Sequence, residues 1–242
     1  MIPALVSLTL RALLNRRRTL LLGLLGALLV LVAVIFRLGS PGADEATRFT
    51  GRLVADFGLA VLLPLVTVIV GTAAVGSELD DGTIVYLLAK PVPRWLIVLV
   101  KFVVAWLVSS LLVAVPILIG GVIGTGGDPA IGIGYAVAAV VGALEYTAVF
   151  LALSLVTSRA LVVGLAYVVV WEGVVAGLFA GTRILSVRQH ALAVGDALVT
   201  DGAVGAELEP GIALLVIAAV VVLAVALAMR RLTMVELRGE TG

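Results

Sequence analysis

Ser77–Lys101, SELDDGTIVYLLAKPVPRWLIVLVK, joins two hydrophobic runs that are each long enough to cross a bilayer. A polar turn (Glu78, Asp80, Asp81, Gly82, Thr83) opens it, and a short apolar patch, Ile84 to Ala89, follows. Lys90-Pro91-Val92-Pro93-Arg94 then leads into a new apolar run at Trp95. A connector that only joined two membrane helices would need a few polar residues, because helix connections are commonly short. This one carries three acids, three bases (Lys90, Arg94, Lys101) and two prolines. It reads as a surface for something to dock on, flanked by the spans that docking would move.

Composition sets the solvent. Of the 242 residues, 62% are hydrophobic and 13% charged, against roughly 25% charged in a soluble domain. The mean hydropathy is +1.28. The chain therefore reads as an integral membrane protein. It has no cysteine, which removes disulfides, thiolate metal sites and thiol nucleophiles from consideration. About 20 apolar residues are needed to cross ~30 Å of hydrocarbon. Six runs meet that length: Thr19–Phe36, Phe57–Gly76, Trp95–Ile123, Gly132–Val156, Ala160–Ala180 and Gly211–Met229. They are continuous rather than alternating, unlike barrel strands. The expected fold is an all-α polytopic bundle, a single transmembrane domain over 1–242.

Orientation follows from the lysines and arginines. With the N-terminus in the cytoplasm, eleven of the sixteen basic residues fall inside and five (Arg37, Arg48, Arg52, Arg183, Arg188) outside. Arg16-Arg17-Arg18, directly before the first span, points the same way. Both termini and the 77–94 connector are expected in the cytoplasm. Residues 1–18 read as an interfacial helix whose basic end meets anionic headgroups. A cleaved signal peptide is the alternative, but the apolar run after it exceeds the usual ~7–15 residues. Arg37 to Asp56 reads as a solvated external lead-in containing a short helix.

Several intramembrane features carry both a structural and a functional reading. Pro64 and Pro116 each remove a backbone hydrogen bond and bend a span, either to shape a cavity or to fit packing. Gly120 and Gly124, and Gly173, Gly177 and Gly181, recur at the spacing for close helix approach. The second set is the better candidate for a helix or subunit seam. Glu145 and Glu172 lie near the middle of spans 4 and 5, where a carboxylate costs ~2.5 kcal/mol or more to insert. They read either as a proton-linked or substrate-path site or as acids that tie helices together, with Tyr146, Tyr167 or Trp171 as partners. Lys101, about two turns into span 3, is expected to snorkel to the inner interface without a partner.

Gly181–Pro210 is the longest external segment, and ILSVRQHALAVGDALV within it is too apolar for a free loop and too short and charged to span. A short amphipathic or re-entrant helix fits. His190 is the one histidine of the chain, so a metal site is not expected. Neither lysine follows a glycine, so there is no Gly-Lys phosphate loop. No Gly-x-Ser-x-Gly or His-Glu-x-x-His motif occurs, and a haem-binding role lacks the paired histidines. The chain is expected to be non-catalytic, with no cofactor of its own.

Six spans with both ends inside, Glu78 followed by Asp81-Gly82-Thr83, then Leu87-Leu88, Lys90-Pro91, Arg94-Trp95 and Lys101, resemble ABC-2 type permeases. Leu153-Ser154-Leu155, Ser158-Arg159-Ala160, Trp171-Glu172-Gly173 and Leu185-Ser186-Val187-Arg188 are similar to members with a separate ATPase. The resemblance covers nearly the whole chain. It implies an export permease that pairs with a second permease subunit, identical or related, in the cytoplasmic membrane of a prokaryote. It further implies an ATP-binding-cassette ATPase that holds ATP and magnesium and docks at the connector. The coupling residues would then be Glu78, Asp80, Asp81, Gly82, Thr83, Lys90, Pro91 and Arg94. Two other classes stay open: a proton-coupled secondary transporter using Glu145 and Glu172, and a non-transporting membrane scaffold for enzyme or cofactor maturation. The transported substrate has no motif in the chain, and no nucleic acid is implied.

Overall fold

The structure, a computed structural model, describes residues 2–14, 16–80, 93–178, 180–199 and 205–234. Among these residues there are helices and connecting turns but no strand. Six helical stretches are long and apolar enough to cross a membrane: Arg18–Leu38, Ala43–Gly76, Arg94–Thr125, Ala130–Val156, Ala160–Leu178 and Pro210–Met234. Each overlaps one of the six hydrophobic runs, and the protein is an all-α polytopic membrane protein.

A short helix, α1 (Ile2–Leu13), packs Thr9 and Leu13 inward and leaves Leu8 exposed. The first span, α2 (Arg16–Leu38), turns one seam inward, with Leu22, Leu29 and Ala33 buried at helical spacing. Gly26 lies on that seam, and a side chain there would strike the ring of Pro116 in α5 (Arg94–Thr125), 2.6 Å from its Cγ. Pro116 is thus seated by packing against the first span.

The polar lead-in after the first span and the second span form one continuous rod. α3 (Ala43–Arg52) passes through a π-helical segment, Leu53–Leu62, into α4 (Leu63–Asp80). The wider winding is marked by the Leu63 N–H, which donates to Gly58 five residues back. Just after Pro64, the Thr67 hydroxyl donates to the carbonyls of Leu63 (2.7 Å) and Pro64 (3.1 Å), keeping its own polar group satisfied within the helix.

α5 stops at Gly126, whose φ of 82° is the left-handed conformation that glycine adopts without penalty. The next span, α6 (Ala130–Val156), is central and packs against α4, α5 and both helices of the C-terminal part. Glycine lets α5 and α6 approach closely, since a Cβ on Gly132 would lie 2.8 Å from the Leu118 carbonyl oxygen. Span 5 comprises α7 (Ala160–Ala166), a π-helical segment Tyr167–Val175 and α8 (Ala176–Leu178). A 3₁₀ turn, Ala180–Leu185, leads to α9 (Val187–Leu198), and α10 (Pro210–Met234) closes the bundle. Burial separates inner from outer spans: 61% of the most apolar window is buried in spans 2 and 4, but 22% or less in spans 1, 5 and 6. The outer three therefore offer the surface to lipid or to another chain.

Candidate functional site

The connector meets the bundle at a buried ion pair. Lys101 is 1% exposed, and its Nζ donates to the Ala74 carbonyl (2.7 Å) and to Glu78 Oε1 (2.6 Å). This corrects the expectation of a snorkelling, partnerless lysine. The aliphatic stem is too deeply enclosed between α4 and α5 to reach water, so the ammonium takes its counter-charge from the last turn of α4. The amine also occupies a carbonyl near that helix C-terminus, where a cation is favoured by the dipole.

Arg94 opens α5, and its Nη1 donates to the Leu232 (3.0 Å) and Thr233 (2.9 Å) carbonyls at the end of α10. It caps a helix C-terminus with charge. Of the eight expected coupling residues, the structure therefore gives Glu78 and Arg94 definite places, both as ties between spans. The Asp80 side chain and Asp81, Gly82, Thr83, Lys90 and Pro91 lie outside the described residues.

A second cluster of buried charge holds α9. Glu145 and His190 are 0% and 1% exposed and face each other, with His190 Nδ1 3.1 and 3.0 Å from the two carboxylate oxygens. His190 Nε2 sits 3.0 Å from the Ile184 carbonyl, which can only accept, so Nε2 carries a proton. The remaining proton lies between Nδ1 and Glu145. Burial alone pushes the His190 imidazole toward neutrality. The hydrogen bond and charge of Glu145 outweigh this, with help from the Ile184 carbonyl and Glu172, and raise its pKa above the usual histidine value.

Glu172 is the other half of the cluster. It accepts from Tyr167 Oη (3.1 Å), from Ser186 Oγ (2.5 Å) and from the Val187 backbone N–H (2.9 Å). Ser186 is the N-cap of α9 and also accepts from the Gln189 N–H at 3.2 Å. Glu172 thus sits at the start of α9, satisfying orphan donors and meeting the positive end of the dipole. Tyr146 stacks on Phe150 beside this group, ring centroids 5.6 Å apart. The expected partner Tyr167 belongs to Glu172, whereas Trp171 Nε1 donates to the Leu185 carbonyl. Glu145 takes His190, which sequence reasoning set aside.

α9 is driven into the bundle by small residues. On α6, a Cβ at Gly134 would lie 2.6 Å from Val199 Cγ2, and Gly142 faces Ala191 at 3.0 Å. Tyr135 Oη donates to Asp196 Oδ1 (3.0 Å), and Arg188 reaches Asp56 Oδ1 (3.0 Å). Asp196 was not singled out in the sequence, and Ser186 and Arg188 were named only within the family resemblance and the charge distribution, without these roles. One signal was readable: Ser186 and Gln189 are spaced as a capping box at a helix start.

The candidate seam behaves differently. Among the described residues, a Cβ at Gly177 or Gly181 would meet nothing within 4 Å, and at Gly173 only the Val168 carbonyl of the same helix, at 3.6 Å. Among the described residues no other helix closes on these glycines, while Gly120 is closed against Leu29 and Gly124 against Thr50. Among the described residues no group of three or more acids and histidines is disposed to hold a metal ion.

Comparison with curated proteins gives no match. A family model described as ABC-2 family transporter protein matches residues 14–187, from the entry to the first span through to the first residue of α9. That is well over half of the chain, and six apolar helices fit such a permease, so the chain belongs to the ABC-2 family of transporter proteins.

Proposed function

We propose that the chain is the membrane permease subunit of an ATP-binding-cassette exporter, driven by a separate ATPase that docks at the 77–94 connector. Membership of the family implies an ATPase partner in general and a membrane component that is itself non-catalytic. On this reading ATP and magnesium are held by the partner. A second permease copy or a related chain completes the path, with both termini in the cytoplasm and the protein in the cytoplasmic membrane of a prokaryote.

The observation that carries the proposal is how the connector is rooted. One end is locked to α5 by Glu78–Lys101, and the other is tied to α10 by Arg94. A push on the intervening segment would reach spans 2, 3 and 6 together, as coupling requires. Asp81 and Gly82 remain the positions to meet the partner, while Glu78 and Arg94 pass the movement on. Glu145 and Glu172, on which a proton-driven reading would rest, are both engaged in fixed hydrogen bonds that hold α9. This supports the structural reading of the two acids.

The test is co-purification with a candidate ATP-binding-cassette ATPase from the same organism, an adjacent reading frame of that type being the first choice. Asp81→Ala and Gly82→Val are expected to insert normally and to lose at least about tenfold in partner affinity, ~1.4 kcal/mol. Wild-type affinity and transport in both variants would reduce the stretch to a tether. Transport in vesicles that needs a proton gradient and no ATPase would overturn the whole reading.

A further inference from the structure

The end of the bundle that bears Arg18 contains an open cleft of about 680 Å³ between α2, the second half of α4, the end of α6 and the start of α7. Its lining has two chemistries. Ile69, Leu161 and Val162 contribute to an apolar wall, and Arg18, Arg159, Thr157 and Ser158 supply polar groups. No acid lines the cleft, and neither arginine forms an ion pair, among the described residues. Arg18 is half-buried and Arg159 exposed. Two guanidinium groups that share a cleft without counter-charge favour an anion, and their planar donors match a phosphate.

Position says which phosphate. Arg18 is the first residue of span Arg18–Leu38, and Arg159 directly precedes span Ala160–Leu178, so both stand at the depth of lipid headgroups. Leu161 and Val162, 49% and 66% exposed, carry the apolar wall out onto the exposed apolar face of span 5, one of the outer spans. Deeper in, Thr72 and Ser154 spend their hydroxyl protons on their own helices (Val68 and Leu151 carbonyls), so polar recognition is confined to the rim. Thr157 Oγ1 accepts from the Arg159 N–H at 3.2 Å and keeps its hydroxyl proton for another acceptor. A free phosphate would use only the rim, whereas an amphiphile uses both parts.

We propose that this cleft is a binding site for an anionic phospholipid, its headgroup phosphate between Arg18 and Arg159 and an acyl chain along Leu161 and Val162. The proposal stands apart from the docking of an ATPase and does not depend on it.

Native mass spectrometry of the detergent-purified full chain, offered equal amounts of dioleoyl-phosphatidylglycerol and dioleoyl-phosphatidylcholine, tests it. The wild type is expected to retain one phosphatidylglycerol with about tenfold preference. Arg18→Gln/Arg159→Gln should abolish that preference, and Arg18→Lys should keep most of it. Val162→Trp, which fills the wall and leaves both charges, should lower retention of the lipid. Arg48→Gln, at an exposed position of α3, removes a charge elsewhere and should change nothing. The proposal is overturned if the double variant or Val162→Trp retains the lipid as the wild type does, or if Arg48→Gln loses it equally. Equal retention of phosphatidylcholine, or displacement of the lipid by millimolar inorganic phosphate, would overturn it as well.

Discussion

Two residues decide how charge is used inside this protein, and each makes a prediction. Lys101 is buried with Glu78, whose side chain keeps 24% of its exposure. Removing one partner of a buried pair leaves an uncompensated charge and costs ~3–5 kcal/mol, whereas replacing both by apolar groups is often neutral. Lys101→Met is therefore expected to lower the thermal midpoint in detergent, toward the smaller end of that range because water reaches Glu78. Lys101→Met/Glu78→Met should recover most of the loss. Equal destabilisation by the single and double variants would remove the pair from the account of the connector's root. His190 adds a pH dependence. Its folded pKa lies above its unfolded value of ~6.5, so its contribution is full below that value and is lost as pH rises through the folded one. The wild type should lose stability on going from mildly acid to alkaline pH by a component that His190→Gln lacks. Superimposable profiles of the two proteins would count against the Glu145–His190 pair as a hold on α9.

At the scale of the element, α9 is held by shape as much as by charge. A Cβ at Gly142 would lie 2.8 Å from Leu63 Cδ2 and 3.0 Å from Ala191 Cβ. A branched side chain there must displace the Leu63 side chain and press on Ala191 of α9, and overpacking of this kind costs ~1–3 kcal/mol. Gly142→Val should destabilise the chain and increase protease access to residues 181–210, read by limited proteolysis; Gly177→Val should do neither. For the face of span 5 that carries Gly173 and Gly177 the expectation is reversed. Their replacement by Leu should leave the single chain intact and weaken a permease dimer, observed as a shift to monomer in detergent-corrected mass. A dimer of unchanged strength would return these glycines to the background of a chain that contains 27 of them.

For the molecule as a whole, the arginine distribution and the six spans predict a single topology. The absence of cysteine makes it directly testable, because any thiol introduced is the only one. Cysteine at Ser40, in the exposed turn after α2, should react with an impermeant maleimide added outside intact cells. Cysteine at Ser158, in the exposed turn between α6 and α7, should react only after permeabilisation. The reverse pattern would place the connector on the wrong side for an ATPase. With the expected pattern, Glu78–Lys101, Arg94 on α10 and the cleft around Arg159 all belong to the cytoplasmic half, and the Glu145–His190–Glu172 group lies beyond them toward the outer face.

By itself the sequence determined the solvent, the number of spans, the all-α class and a likeness to a transporter family. Each of these depends on the summed hydropathy and length of a continuous segment, or on a short local pattern, and needs no knowledge of what packs on what. Even the start of α9 was written locally, in Ser186 and Gln189. The partners of the buried charges were not. Lys101 meets Glu78 across 23 positions, Glu145 meets His190 across 45 and Arg94 meets Thr233 across 139. Such pairings depend on the rotation of each helix about its axis and on its depth against its neighbours. Those are set by where glycines let helices close up, at Gly132, Gly134 and Gly142. A lone lysine reads as a snorkel and a lone histidine as incidental until that packing brings an acid to each. Only the tertiary structure decided it, because in a medium without water a charge takes the partner the fold supplies.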